Sequence, residues 1–268
     1  MIDLSNYGKL DVNLKSSKGD QSKWLVDNIW YKADENGYES LSEYVVSKLL
    51  SKSSLHNEEY VMYDLVDVKY KNQVYHCCRS DNFLLPGDNL ITIERLYMDI
   101  NGQSLTETLN HIDGYKNRAK YLVNFVIDVT ELNDFGEYLY KTLVIDALFL
   151  NEDRHLHNIA VVRKANGTFD YCPIFDNGAS LLSNVKVDYP LNIDTLDLIR
   201  TVKAKTIGDD FIEAINEMEA SYGTSISFSF DEKDIDELLK DIDVYDSKII
   251  KRVKQVLKYQ RNKMMYYF

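Results

Sequence analysis

The tightest constraint on this chain is the stretch Asn151-Glu152-Asp153-Arg154-His155-Leu156-His157-Asn158, followed 18 residues after its last member by Asp176 in Phe175-Asp176-Asn177-Gly178. Between the two lie β-prone runs at 159–162 and 168–172, flanking Asn166-Gly167, a dipeptide suited to the positive φ of hairpin turns. Closing that hairpin brings Asn158, just before its first strand, beside Asp176, just after its second. Asp153, five residues before Asn158 in the loop that feeds the hairpin, ends near the same point. Two carboxylates and an amide oxygen then form a hard-oxygen site of the kind that holds Mg2+, with water and nucleotide phosphates filling the remaining positions.

In phosphoryl transfer, positioning and charge neutralisation do most of the work. One Asp orients the attacking hydroxyl, an Asn five places on holds a metal, and a second Asp beyond a hairpin chelates it. All three occur here in that order. Two details depart from the eukaryotic protein-kinase pattern: Asp153-Arg154-His155 replaces His-Arg-Asp, and Asp176-Asn177-Gly178 replaces Asp-Phe-Gly. No Ala-Pro-Glu segment is visible. His155 and His157 form a His-x-His pair, but no Cys or further His follows at zinc spacing, so His157 reads as structural.

At these residues the chain resembles the HipA-like bacterial serine/threonine kinases, and more distantly the phosphatidylinositol kinases with their Asp-Arg-His-x-x-Asn loop. The resemblance implies an α+β, two-lobed protein kinase-like fold, with a small β-rich lobe over residues 1–96 and a larger, mostly helical lobe over 97–268 that carries the catalytic hairpin. It implies Asp153 as catalytic base, Asn158 and Asp176 as ligands of magnesium and hence of ATP, and His155 as a loop-ordering or phosphate-facing group. It further implies a regulatory or antitoxin-like partner. Alternatives are a lipid or small-molecule kinase, suggested by the Asp-Arg-His order, and a nucleotide-binding interaction module without turnover.

A kinase also needs a cover for the phosphates and a lysine to hold them. The polar segment 14–23, with Ser16, Ser17 and Gly19, could bend over phosphates with its amides inward. Residues 29–32 read as a strand ending at Lys32, and Ser40-Leu41-Ser42-Glu43 opens a helix with apolar residues at Leu41, Tyr44, Val45, Leu49 and Leu50. A strand lysine followed by a helix glutamate matches the kinase ion pair. Lys32 with Glu43 is the expected pair, with Glu39 as competing partner and Lys23 as competing lysine. Ser40-x-x-Glu43 also reads as a capping box, which would draw Glu43 back to the helix start. The run 89–97 reads as a strand, with Glu94, Arg95 and Leu96 as the adenine-facing hinge.

The remainder reads as helical: 137–150 as the buried helix supporting the catalytic loop, with Asp146 read as a surface or capped carboxylate, then 209–220 and 231–267. A substrate-facing loop is expected at 181–190. Arg252 and the lysines of the C-terminal stretch read as the basic outer face of a helix. At 268 residues and 45% hydrophobic the chain can bury a substantial core. Its formal charge of −12 disfavours nucleic acid and anionic lipid. Cys77, Cys78 and Cys172 supply no disulfide framework, which fits a reducing, cytoplasmic setting. No run reaches the roughly 20 apolar residues of a membrane helix. The activity expected is transfer to Ser or Thr of a protein substrate, the chain's own Ser16, Ser17 or Ser22 included.

Overall fold

The computed structural model describes residues 1–9, 21–224 and 226–268; Ser16, Ser17 and Gly19 lie outside them. The first half is β-rich. Strands β1 (Ile2–Asp3), β2 (Lys23–Val26) and β3 (Ile29–Ala33) are followed by helix α1 (Glu39–Leu50), and β4 (Asp64–Tyr70) and β5 (Gln73–Asp81) complete a five-stranded sheet in the order β1-β4-β5-β3-β2. Alternation along these strands buries Trp24, Val26, Tyr31, Ala33, Val68 and Cys77 with Leu4 in a small core of their own. Asp27 and Asn28 take positive φ in the two-residue β2–β3 turn, a conformation that short polar side chains tolerate.

Helix α1 turns the other way. Leu41, Val45, Val46, Leu49 and Leu50, spaced at helical period, pack into the large core of the helical half. Residues 82–88 lead from β5 to β6 (Asn89–Thr92), which starts a second sheet, and α2 (Ile93–Asn101), α3 (Leu105–Asn110), α4 (Tyr115–Thr130) and α5 (Phe135–Phe149) follow. Only Glu137, Tyr138 and Lys141 of α5 escape full burial, so it is the central post of this half. Gly136 lies where any Cβ would meet the Tyr222 ring at 2.2 Å, which lets the helix ending at Tyr222 close on α5.

After Leu150 the loop 151–159 leads into β7 (Ala160–Arg163) and β8 (Phe169–Tyr171), which with β6 form a three-stranded antiparallel sheet in the order β6-β7-β8. The expected hairpin is present, closed by a three-residue connection: Lys164 and Thr168 are bonded across it and Gly167 takes φ 90. Helices α6 (Thr195–Ile199), α7 (Phe211–Tyr222), α8 (Glu232–Leu238) and α9 (Ser247–Lys263) complete the chain. Asp194, Asp210, Asp231 and Asp246 cap their N-termini.

Three expectations about elements change. The strand expected over 89–97 ends at Thr92, whose hydroxyl accepts from Arg95 N and starts α2. Glu94, Arg95 and Leu96 therefore stand on a helix, and a boundary after Leu96 falls inside α2. The helix expected over 231–267 breaks between α8 and α9. Arg252, expected on a basic outer face, is buried and donates to the carbonyls of Tyr189, Pro190 and Ile193. Lys254 and Lys258 do face outward, paired with Asp236 and Glu232 of α8.

Candidate active site

The site forms where α5 ends. Leu150 takes the left-handed conformation at φ 55, unusual for a leucine and costing roughly 1–2 kcal/mol. Its burial in the core holds the turn that sends the chain into Asn151. Within the loop, Asn151 Oδ1 accepts from Asp153 N at 3.2 Å, and Asn158 Nδ2 donates to Asp153 O at 2.9 Å, orienting the Asn158 amide. Asp176 also sits at positive φ, 60°, which carries its carboxylate back toward the loop. One cleft is lined by Asp153, Asn158 and Asp176 together with Lys23, Glu39 and Gly178.

Arg154 holds these segments in place. Its guanidinium is buried beneath the loop, where Nε meets both Asp146 oxygens at 3.1–3.2 Å, Nη1 donates to Asn158 O and Phe175 O, and Nη2 donates to Asn177 Oδ1 at 2.8 Å. Asp146, expected at a surface or cap, is thus a buried counter-charge, because the last two turns of α5 are buried all round and a carboxylate there needs a cation. Burial pushes Asp146 up to about 6, with Arg154 pulling the other way.

From the β-rich half, Lys32 reaches into the cleft. Its Nζ lies 2.7 Å from Glu43 Oε1, 3.0 Å from Asp176 Oδ1 and 3.3 Å from the Tyr63 hydroxyl. Burial alone would lower the Lys32 pKa, but Asp176 and Glu43 raise it well above the ordinary lysine value. Burial likewise opposes ionisation of Asp176, yet Lys32, with Lys23 and Arg154 at longer range, holds its carboxyl well below the usual range. Glu43 Oε2 also accepts from Asn177 N at 2.8 Å, so one carboxylate clamps both the lysine and the residue after Asp176.

The competition around Glu43 resolves sterically. Helix α1 begins at Glu39 with Tyr38 as its N-cap and no side-chain capping bond. Ser40 Oγ donates to Lys32 O, and Asp34 Oδ1 accepts from Ser40 N, so the capping box does not form. Glu39 accepts from the amides of Glu35, Asn36 and Gly37 and is engaged there. Lys23 contributes at longer range, on the neighbouring strand.

No protein-family model matches the chain, and no curated protein matches it. Among solved structures, the Helicobacter pylori proinflammatory kinase CtkA matches with a TM-score of 0.61 at 14% identity, covering 100% of this chain and 96% of that one. The fold is kinase-like. Its N-lobe is the curled sheet with α1, and its C-lobe is the helical half with the β7–β8 hairpin.

Within this kinase-like fold Asp153, Asn158 and Asp176 line the cleft, and Lys32, held by Glu43, reaches Asp176. His155 stands beside them, its Nε2 3.8 Å from Asp153 Oδ2. Its partial burial lowers its pKa, outweighing the pull of Asp153. Glu94, Arg95 and Leu96 do not line this cleft, although Glu94 N donates to Leu156 O of the loop beside it. Glu94 accepts from Ser104 Oγ, Leu105 N, Thr106 N and Thr106 Oγ1, anchoring the start of α3, while Arg95 pairs with Asp99 along α2 and Leu96 packs in the core. The passage between the sheets is residues 82–88. The loop expected to face substrate at 181–190 is largely bound. Leu181 and Leu182 are buried at positive φ, Tyr38 Oη donates to Leu181 O, Ser42 Oγ donates to Ser180 O, and only Lys186, Val187 and Asp188 are exposed. Sequence reasoning assigned no role to Tyr63, Asn177 or Lys205, whose Nζ lies 3.1 Å from Asp153 Oδ1. No local spacing marks Tyr63 or Lys205, which come from distant segments, and Asn177, although next to Asp176, takes its role from bonds to Arg154 and Glu43 on other elements. Among the described residues no group of three or more His, Cys, Asp or Glu is arranged for metal binding, and no helix is long and apolar enough to cross a membrane.

Proposed function

We propose that the chain is an ATP- and magnesium-dependent kinase that transfers the γ-phosphoryl group to Ser or Thr of a protein, its own chain included. The observation that carries this reading is the junction of Lys32 with Glu43 and Asp176, at 2.7 and 3.0 Å, over a cleft that also holds Asp153 and Asn158. A lysine fixed by a helix glutamate is suited to nucleotide phosphates. Asp176 and the Asn158 amide oxygen offer hard oxygens from only two protein groups, which suits Mg2+, an ion that keeps several waters and takes its remaining ligands from substrate phosphates. When bound, the ion would be held by Asp176 and Asn158 and would neutralise charge on the nucleotide phosphates.

In the step itself, the acceptor oxygen attacks the γ-phosphorus as its proton passes to the Asp153 carboxylate. The bond from phosphorus to the bridging oxygen breaks, its electron pair leaves on ADP, and the proton is later released to solvent. Arg154, through Asn158 O and Phe175 O, keeps the loop and the approach to Asp176 in register. The HipA-like resemblance favours a protein acceptor over a lipid or small alcohol, and adds a regulatory, antitoxin-like partner.

Intact-protein mass after incubation with magnesium and ATP tests the reading. The wild-type chain gains phosphate; Asp153→Ala and Asp176→Ala gain none, while their melting profiles remain cooperative. Absence of any transfer by the wild type, to itself or to Ser/Thr peptide mixtures, would overturn it.

A further inference from the structure

Lys205 belongs to no helix or strand. It lies in the connection between α6 and α7, 52 residues beyond Asp153, yet its Nζ is 3.1 Å from Asp153 Oδ1. This position is built into the fold. Thr206 Oγ1 donates to Arg154 O at 2.6 Å, docking the connection on the loop that carries Asp153. Ala204 N donates to Asp209 O, Lys203 pairs with Asp209, and Arg118 donates to Ile207 O. Ala204 and Thr206 are each 6% exposed, whereas the Lys205 side chain between them is 39% exposed. The backbone is thus fixed, and the ammonium stands at the wet edge of the cleft on the Asp153 side.

Of the other cations near the transfer point, Lys23 lines the cleft from β2 and acts on Asp176, while Lys32 and Arg154 are already engaged. Lys32 holds Glu43 and Asp176, and Arg154 is buried on Asp146 and main-chain oxygens. His155, two places after Asp153, stands 3.8 Å from it, beyond hydrogen-bond reach. The cleft lining also carries the carboxylates of Asp153, Glu35 and Glu39. An anionic phosphoryl group moving toward a hydroxyl held by Asp153 therefore approaches negative charge. A mobile cation there stabilises the transition state more than the ground state.

We propose that Lys205 is a catalytic residue of this cleft, pairing with Asp153 in the free chain and turning onto the γ-phosphoryl oxygens as the group passes to the acceptor. The inference rests on the kinase reading and names a residue that reading does not need. A phosphate-binding lysine contributed from outside the catalytic loop would supply the charge that the loop itself lacks.

The test uses the full chain with γ-labelled ATP and magnesium, counting label on protein and as free phosphate. Lys205→Met keeps the aliphatic stem and should lower kcat by about 100-fold, the order seen when one transition-state donor is removed. KM for ATP and the melting temperature should stay near their wild-type values, because the Lys205 side chain is partly exposed and its proposed contact is with the group in transfer rather than with bound ATP. Lys205→Arg, which keeps the charge, should recover most of the rate. A Lys205→Met variant with wild-type kcat would overturn the assignment and leave the kinase reading standing. So would a rate loss matched by a fall in melting temperature and not recovered by arginine. No turnover by the wild type would overturn both.

Discussion

Arg154 occupies the position at which a single substitution should do most damage. It is buried against Asp146 and joins the end of α5, the 151–158 loop and both sides of Asp176. Replacing it with Met leaves Asp146 as an uncompensated buried carboxylate, a change that typically costs about 3–5 kcal/mol. A urea titration of Arg154→Met should show that loss. Asp34 makes a second, pH-dependent prediction. Half-buried and bonded to Ser40 N and the Tyr245 hydroxyl, its carboxyl is pushed up to about 6 from 3.8 by burial, which outweighs those bonds. A carboxyl with a raised folded-state pKa contributes stability that is fully present below the unfolded value and lost as pH rises through the folded one. Asp34→Asn should therefore gain in melting temperature relative to wild type as pH rises from about 4 to about 7, and a gap independent of pH would refute this. Asp34 carried no signal in the sequence, since its environment depends on Tyr245, 211 residues away.

At the level of elements, α1 connects the two halves. Its apolar face packs in the C-lobe core, while Tyr38, Ser42 and Glu43 hold the backbone after Asp176. The loop before it fits closely: a Cβ on Gly37 would lie 1.8 Å from Ser183 O. Gly37→Ala should therefore force the 34–37 loop away from 183–185, costing about 1–3 kcal/mol as overpacking does. Thermal melting checks this, and an unchanged midpoint would count against the close fit. The hairpin, α1 and α5 were legible in the sequence because periodicity and an Asn-Gly turn are local signals. The 89–97 run was misread because Leu90, Ile91 and Ile93 suit a strand, while the helix start at Thr92 is marked only by a hydroxyl accepting from Arg95 N. Lys32 and Glu43 were found from their order along the chain. Glu43 was preferred over Glu39 from the sequence, and what the sequence did not show is that the 35–37 amides turn toward Glu39 and engage it.

For the molecule as a whole, a ligand that binds the folded chain alone raises its stability by an amount set by occupancy, about 2.7 kcal/mol at 100 times Kd. Magnesium with ATP should raise the melting temperature of the wild type but not of Asp176→Ala, and equal shifts in both would place the nucleotide elsewhere. The two-lobed arrangement was anticipated from a few residues of one loop and one hairpin. The passage between the sheets was not, because main-chain contacts leave no side-chain signature. Beneath the cleft, Arg154 gathers carbonyl and carboxylate partners from three separate segments, and this predicts a shared fate in time. No one of them can open without breaking bonds that the others use. Amides of 151–158 and 174–178 should therefore exchange with deuterium as a single unit at one common opening free energy, above that of the exposed 186–188 turn.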